Sequence, residues 1–246
     1  MTKNISVSDK QLSGFLYADK DWFTKKYSAK SAVRFSTFKT ALNLFMQRGG
    51  GTIVETGCVR QADDYGAGMS TVMFCDYLSQ HGGHIWTVDL SPKNIAICAD
   101  LTKEFESVIT LVADDSIHFL QNLSTVNGFP GSIDLLYLDS YDYPYGDLLD
   151  IYGGKTDISK AVATLQSMTE EAILAAHSEL ILPCQTHCLN ELVAAAPFLH
   201  DKSIILIDDN MLSGGGKPRL AKQWLMNNNY ELLYDGMQTL WIKRTY

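Results

Sequence analysis

Five acidic residues sit at or just beyond the ends of apolar runs. They are Glu55 in TIVETG, Asp89 in HIWTVD, Asp115 after SVITLV, Asp139 after IDLLYL and Asp209 after SIILI. A carboxylate can accept two hydrogen bonds from a diol, ligate a hard cation or take up a proton. Any one of these acids is explained as a helix cap or turn former. Five of them at what reads as one edge of a sheet point to a shared site.

The elements that must hold these acids follow from the spacing of apolar residues. Residues 52–56 form a short apolar run, 69–80 have roughly helical spacing, and 84–88 are apolar again. This strand, helix, strand order begins a parallel sheet, in which ligands lie beyond the carboxyl ends of the strands. Ser91 and Pro92 read as the start of the next helix. Strands are expected at 107–112, 133–138 and 203–207, and a short helix from Ser116. Helices are expected at 159–176 and 186–199, with Pro183 interrupting the run between them, and another around Leu220, Trp224 and Leu225. The chain ends in a hairpin, 230–234 and 239–242, turning at Asp235-Gly236. The expected fold is an α/β, Rossmann-like three-layer sandwich: a mostly parallel seven-stranded sheet with a C-terminal antiparallel hairpin.

With 246 residues, no linker and no internal repeat, the chain reads as one domain, 1–246. Residues 13–48 are aromatic-rich and helical in pattern, so residues 1–48 are expected to form an N-terminal cover or lid. The same segment is a candidate contact between two copies of the chain, a possible homodimer. The net charge of −8 gives no basic excess to neutralise phosphates, so no nucleic-acid partner is expected. No apolar run reaches membrane-spanning length, and the N-terminus has no apolar signal core, so no membrane partner is expected either. The five cysteines are odd in number and lie mostly in apolar patterns. They read as reduced core thiols of a cytoplasmic protein.

A carboxylate at the end of the second strand suits a ribose diol, so Asp89 implies a cofactor containing a nucleoside. A dinucleotide would want GxGxxG after the first strand, where this chain has ETGCVR and then two more acids, Asp63 and Asp64. GGGKPR at 214–219 lacks the spacing of a phosphate-binding loop. A cationic cofactor without phosphates fits the negative field better.

These residues resemble those of the class I S-adenosylmethionine-dependent methyltransferases, from about Thr52 to the C-terminal hairpin. Glu55-Thr-Gly57 and Gly68-Met-Ser70-Thr71 resemble the two halves of the glycine-rich first motif, here separated by a longer loop. Asp89 matches the acid that holds the cofactor ribose, and Asp115-Ser116 the pair beside adenine. The resemblance therefore implies S-adenosylmethionine held by Glu55, Gly57, Gly68, Ser70, Asp89, Asp115 and Ser116.

A narrower resemblance concerns metal. Asp139 and Asp209-Asn210 look like the divalent-cation ligands of the small metal-dependent O-methyltransferases. Asp208-Asp209 resembles the acidic pair of metal-dependent sugar O-methyltransferases. Two carboxylates and an amide carbonyl are hard oxygen donors suited to Mg2+, which would lower the pKa of an acceptor hydroxyl. Catechol-type enzymes carry a lysine base three residues after the first metal acid, where this chain has Asp142. Asp142, Asp139 and His187 are therefore the candidate catalytic groups. Tyr141, Tyr143, Tyr145 and Tyr152 either wall an acceptor pocket or pack on the N-terminal helices, and Lys217 and Arg219 either steady an anionic acceptor or start a surface helix, the surface reading being the preferred one.

The expected activity is methyl transfer to a hydroxyl of a small-molecule acceptor, with Mg2+ or a similar divalent cation assisting. The alternatives are a metal-independent N- or O-methyltransferase and a non-catalytic binding protein on the same fold.

Overall fold

A computed structural model describes residues 21–65 and 69–244. Helix α1 (Asp21–Ser31) and helix α2 (Phe35–Gln47) come first, joined by a tight turn in which Ala32 has φ 44°. The alternating part follows: β1 (Thr52–Thr56), α3 (Ser70–His81), β2 (His84–Asp89), α4 (Pro92–Leu101), β3 (Ile109–Ala113), α5 (Ser116–Gln121) and β4 (Ile133–Leu138). Three helices then separate β4 from β5: α6 (Tyr145–Ile151), α7 (Ile158–Ser167) and α8 (Glu170–Ala195). The remainder is β5 (Leu199–Ile207), α9 (Arg219–Asn227), β6 (Tyr230–Asp235) and β7 (Thr239–Lys243).

The seven strands lie in the order β3-β2-β1-β4-β5-β7-β6. β3 through β5 are parallel neighbours, and β7 runs antiparallel between β5 and β6. The expected sheet and closing hairpin are therefore present. The order reverses between β1 and β4, which brings the ends of both against a common crevice.

Central strands are buried on both faces, which is why β1, β4 and the end of β5 are dominated by consecutive apolar residues rather than alternating ones. Ile53, Leu135, Tyr137, Ile204 and Leu206 pack under α1, α2 and α3. Their neighbours Val54, Leu136, Leu138, Ile205 and Ile207 pack under α5, α8 and α9.

Two sequence expectations change. The helices expected at 159–176 and 186–199 have different boundaries: α7 stops at Ser167, and Thr169 caps a single helix running from Glu170 to Ala195. That helix passes through Pro183, which removes one backbone donor, and its irregular residue is His177 instead (φ −136°, ψ 28°). Ile181, Cys184, Cys188 and Leu192 are all buried along it. Burying a full side chain is worth about 1.5–3 kcal/mol, so this stripe offsets the roughly 3 kcal/mol proline defect. The second change is in the loop after β4, which contains α6 rather than running free.

Within the N-terminal cover, residues 13–20 lie outside the described residues. The described part is docked by chemistry as well as by apolar packing. The Tyr27 hydroxyl donates to Asp76 Oδ2 at 2.6 Å, and the Lys26 ammonium meets the same oxygen at 2.7 Å. Tyr27 is fully buried, and Asp76 sits on α3. Tyr27→Phe leaves that carboxylate short of one buried donor. We expect a loss of about 1–2 kcal/mol, seen as a lower melting temperature and faster amide exchange in α1. Unchanged exchange in α1 would assign the docking to apolar packing alone.

Candidate active site

A cavity of about 310 Å3 opens at the carboxyl ends of β1, β2 and β4. That is at the lower end of the ~300–1,000 Å3 of small-molecule sites. Gly57, Ser70, Asp89, Asp115, Ser116, Asp139, Asp142 and His187, all singled out from the sequence, line it. Gly68 lies outside the described residues.

Each wall has a local cause. β1 turns at Gly57, whose N–H donates to the Val88 carbonyl at 2.9 Å, while the Asp139 N–H donates to the Thr56 carbonyl at 3.0 Å. These bonds draw the ends of β1 and β4 so close that a Cβ at Gly57 would lie 2.6 Å from the Asp139 carbonyl oxygen. Gly57 also has φ +81°, which glycine adopts without strain. Asp89 Oδ1 accepts from the Ser91 N–H at 2.8 Å and the Asn94 amide at 3.1 Å. That fixes the carboxylate and leaves Oδ2 with one weak contact, the Cys58 thiol at 3.5 Å. Asp115 caps α5 through the His118 N–H at 2.9 Å. Ser116 Oγ lies 3.0 Å from His187 Nε2, which joins α5 to α8.

His187 belongs to the side of the cavity walled by Ser116 and Tyr141. Glu191 Oε1 lies 3.5 Å from its ring and accepts the Ser140 hydroxyl at 2.6 Å, and the Tyr141 ring lies against it. Burial alone would lower the His187 pKa, but Glu191 holds it above the ordinary histidine value. Asp142 stands at the mouth, largely exposed, paired with Arg60 at 2.6 Å. Of the four loop tyrosines, Tyr141 lines the cavity. Tyr143, Tyr145 and Tyr152 pack in the cluster of α6, α7 and α8, not on the N-terminal helices.

Glu55 does not line the cavity. It is 1% exposed and accepts the Ser70 hydroxyl at 2.6 Å and the Thr87 hydroxyl at 2.9 Å. Its effect on the cavity passes through Ser70, which is a wall residue. Burial pushes the Glu55 carboxyl up to about 8, against the pull of the hydroxyls that donate to it.

The expected metal ligands are arranged around protein cations. Asp139 and Asp209 converge on the Lys217 ammonium, with Oδ1 of the first at 3.0 Å and Oδ2 of the second at 3.2 Å. Asn210 donates its amide nitrogen to Asp235 Oδ1 at 2.9 Å and to the Gly236 carbonyl at 2.6 Å, and its buried Oδ1 has no hydrogen-bond partner among the described residues. Asp208 accepts Arg34 Nε with both oxygens, at 2.9 and 2.8 Å, and the Tyr137 hydroxyl at 2.8 Å. Among the described residues no group of three or more His, Cys, Asp or Glu is arranged to hold a metal ion. These residues do not fit a divalent cation, because an ammonium already lies where its two carboxylates meet.

Lys217 is thus not the surface residue expected; its side chain is 2% exposed. Burial works against its charge, but Asp139, Asp209 and Asp208 hold it above the ordinary lysine value. Burial also pushes the Asp139 carboxyl up, to about 7, with Lys217 opposing and Asp208 and Asp209 adding to the rise. Arg34 and Tyr137 escaped sequence reasoning. Arg34 lies 174 positions from the acid it binds and belongs to no motif. The available signal was charge: an excess of acids at one sheet edge needs cations, and Lys217 and Arg219 follow Asp208-Asp209.

Comparison with known proteins bears on the fold. Residues 64–178 match the model of a methyltransferase domain. No curated protein matches the sequence. Among solved structures, the O-methyltransferase from Bacillus cereus is similar with a TM-score of 0.52 at 13% identity, over 96% of each chain. The O-methyltransferase TomG from Streptomyces achromogenes gives 0.51 at 13% identity, again over 96% of each. The methyltransferase PaMTH1 from Podospora anserina gives 0.50 at 15% identity, over 100% of this chain and 98% of that one. At such identities the likeness is one of fold. It is the seven-stranded architecture of the class I methyltransferases, and the domain match falls within it. Among the described residues no helix is long and apolar enough to cross a membrane.

The raised Glu55 pKa makes a signed prediction. The folded state holds a proton that the unfolded state, at about 4.5, gives up. Glu55 therefore supports the fold fully below pH 4.5, and that contribution is lost as pH rises to about 8. Glu55→Gln, which copies the neutral acid, should gain stability over the wild type across this interval, on the order of a few kcal/mol at its upper end. Melting curves at several pH values read this, and a parallel pH dependence in both proteins would refute it.

Proposed function

We propose that this enzyme methylates a hydroxyl oxygen of a small-molecule acceptor, with Asp139 receiving the hydroxyl proton. The observation that carries the reading is the convergence of Gly57, Asp89, Asp115, Ser116 and Asp139 on one cavity. The choice of oxygen is supported by two similar structures being O-methyltransferases.

The donor set fits the cofactor. Asp89 offers a fixed carboxylate to a ribose diol, with Oδ2 nearly uncommitted. Asp115 and Ser116 line the same cavity next to His187, where adenine would lie. Asp89, Asp115, Asp139 and Asp142 outnumber Arg60 on the walls, a field that suits a sulfonium and repels a diphosphate. When bound, S-adenosylmethionine supplies an electrophilic methyl group. The chain's part is to hold the acceptor oxygen in line and take its proton. Asp139 suits that task, since a base works best with a pKa near the working pH and burial raises this one to about 7. Asp139 also adjoins a cleft of only about 10 Å3 under α2, walled by Arg34, Phe38, Tyr65 and Tyr137. That cleft has room for about one water, so an acceptor entering from this side must displace α2.

Calorimetry with S-adenosylhomocysteine tests the cofactor half. Asp89→Ala should weaken binding at least about tenfold, or ~1.4 kcal/mol; equal affinity in the two proteins would remove Asp89 from the cofactor site. Asp139→Asn should keep that affinity yet slow methylation of a hydroxylated acceptor by about 10²–10⁴. An unslowed variant would place the base elsewhere.

A further inference from the structure

The acids at the ends of β4 and β5 were expected to bind a divalent cation. We infer that Lys217 takes that cation's place as a permanent part of the chain, so that the site needs no metal and Lys217 is a positioning residue that acts through Asp139. The role of Asp139 rests on the function proposed above, whereas the displacement of a metal stands on geometry alone.

Three observations carry it. First, the ammonium lies within 3.0 and 3.2 Å of the same two carboxylates that would bridge an ion. An ion entering there would meet a buried positive charge. Second, the lysine is built in rather than swung in. Its backbone N–H donates to the Asp209 carbonyl at 3.1 Å. Gly216 precedes it with φ +65°, and a Cβ there would run into the Asp209 and Asn210 carbonyls, so the chain folds this tightly only with glycine. The buried Gln185 amide of α8 donates to the Gly214 and Gly216 carbonyls at 3.1 and 2.9 Å, and the Tyr143 hydroxyl donates to the Ser213 carbonyl. Third, protein cations supply the positive charge that an ion would bring. Lys217 and Arg34 together bring two positive charges to Asp139, Asp208 and Asp209, as one divalent cation would.

An ammonium is not equivalent to a metal, and the difference sets the acceptor class. It has three donors, two of them used by Asp139 and Asp209, and no coordination sphere in which to chelate adjacent substrate oxygens. The acceptor therefore needs one hydroxyl, not a vicinal pair.

Titration of the full-length protein with Mn2+, read by electron paramagnetic resonance of the free ion, tests the inference. The wild-type chain and Lys217→Arg should leave the free-ion signal undiminished. Lys217→Met, which bares two carboxylates, should bind Mn2+ at least about tenfold more tightly than the wild type, ~1.4 kcal/mol. Stoichiometric Mn2+ binding by the wild-type chain that Asp139→Asn abolishes would overturn the inference. So would a cooperatively folded Lys217→Met that takes up no more ion than the wild type. Should that variant not fold, the wild-type and Lys217→Arg titrations decide. Calorimetry with S-adenosylhomocysteine on the same samples keeps the two readings apart: failure there strikes the cofactor site and leaves the Mn2+ result standing.

Discussion

A buried ammonium between two carboxylates governs the carboxyl edge of this sheet. Taking charges out of water costs several kcal/mol per ion, and only close, well-aligned partners offset it. That requirement fixes more than Lys217. It obliges the chain after β5 to turn back sharply at Gly216, and it leaves Asp208 to Arg34 of the N-terminal segment. Tyr137 joins the two halves, its hydroxyl donating to Asp208 at 2.8 Å and lying 3.1 Å from Asp139. Residues from the turn before α2, from β4 and its end, from the end of β5 and from the glycine loop thus share one cluster of ion pairs.

Helix α8 is the scaffold for much of this. Its buried residues Cys188, Leu192 and Ala195 pack on the sheet. Gln185 holds the glycine loop, while His187 and Glu191 border the cavity through Ser116 and Ser140. One long element therefore borders the cavity near Ser116 and helps fix the loop that carries the lysine.

The sheet was legible because its signals are local. Residues 52–56 and 133–138 are apolar runs bounded by glycine or acid, and both strands fall on those residues. Asp89 and Asp115-Ser116 were legible because position after a strand determines their surroundings. Lys217 was not, since three glycines and a lysine read as a surface turn unless one knows that the Asp209 carbonyl lies against Gly216. Arg34 was not, because its partner is remote in the chain. Glu55 was half legible: its type and place were clear, but whether it faces the ligand or the neighbouring Ser70 and Thr87 is decided by packing.

Gly57 carries a wider lesson about motifs. Its lack of a side chain is demanded by the backbone of Asp139 pressing on it, before any ligand arrives. A descendant that had lost every trace of transferase activity would still be obliged to keep glycine there in order to close its sheet. The residue therefore testifies to architecture, whereas Oδ2 of Asp89, held among the described residues only by the Cys58 thiol, is the atom on which a change of occupation would register.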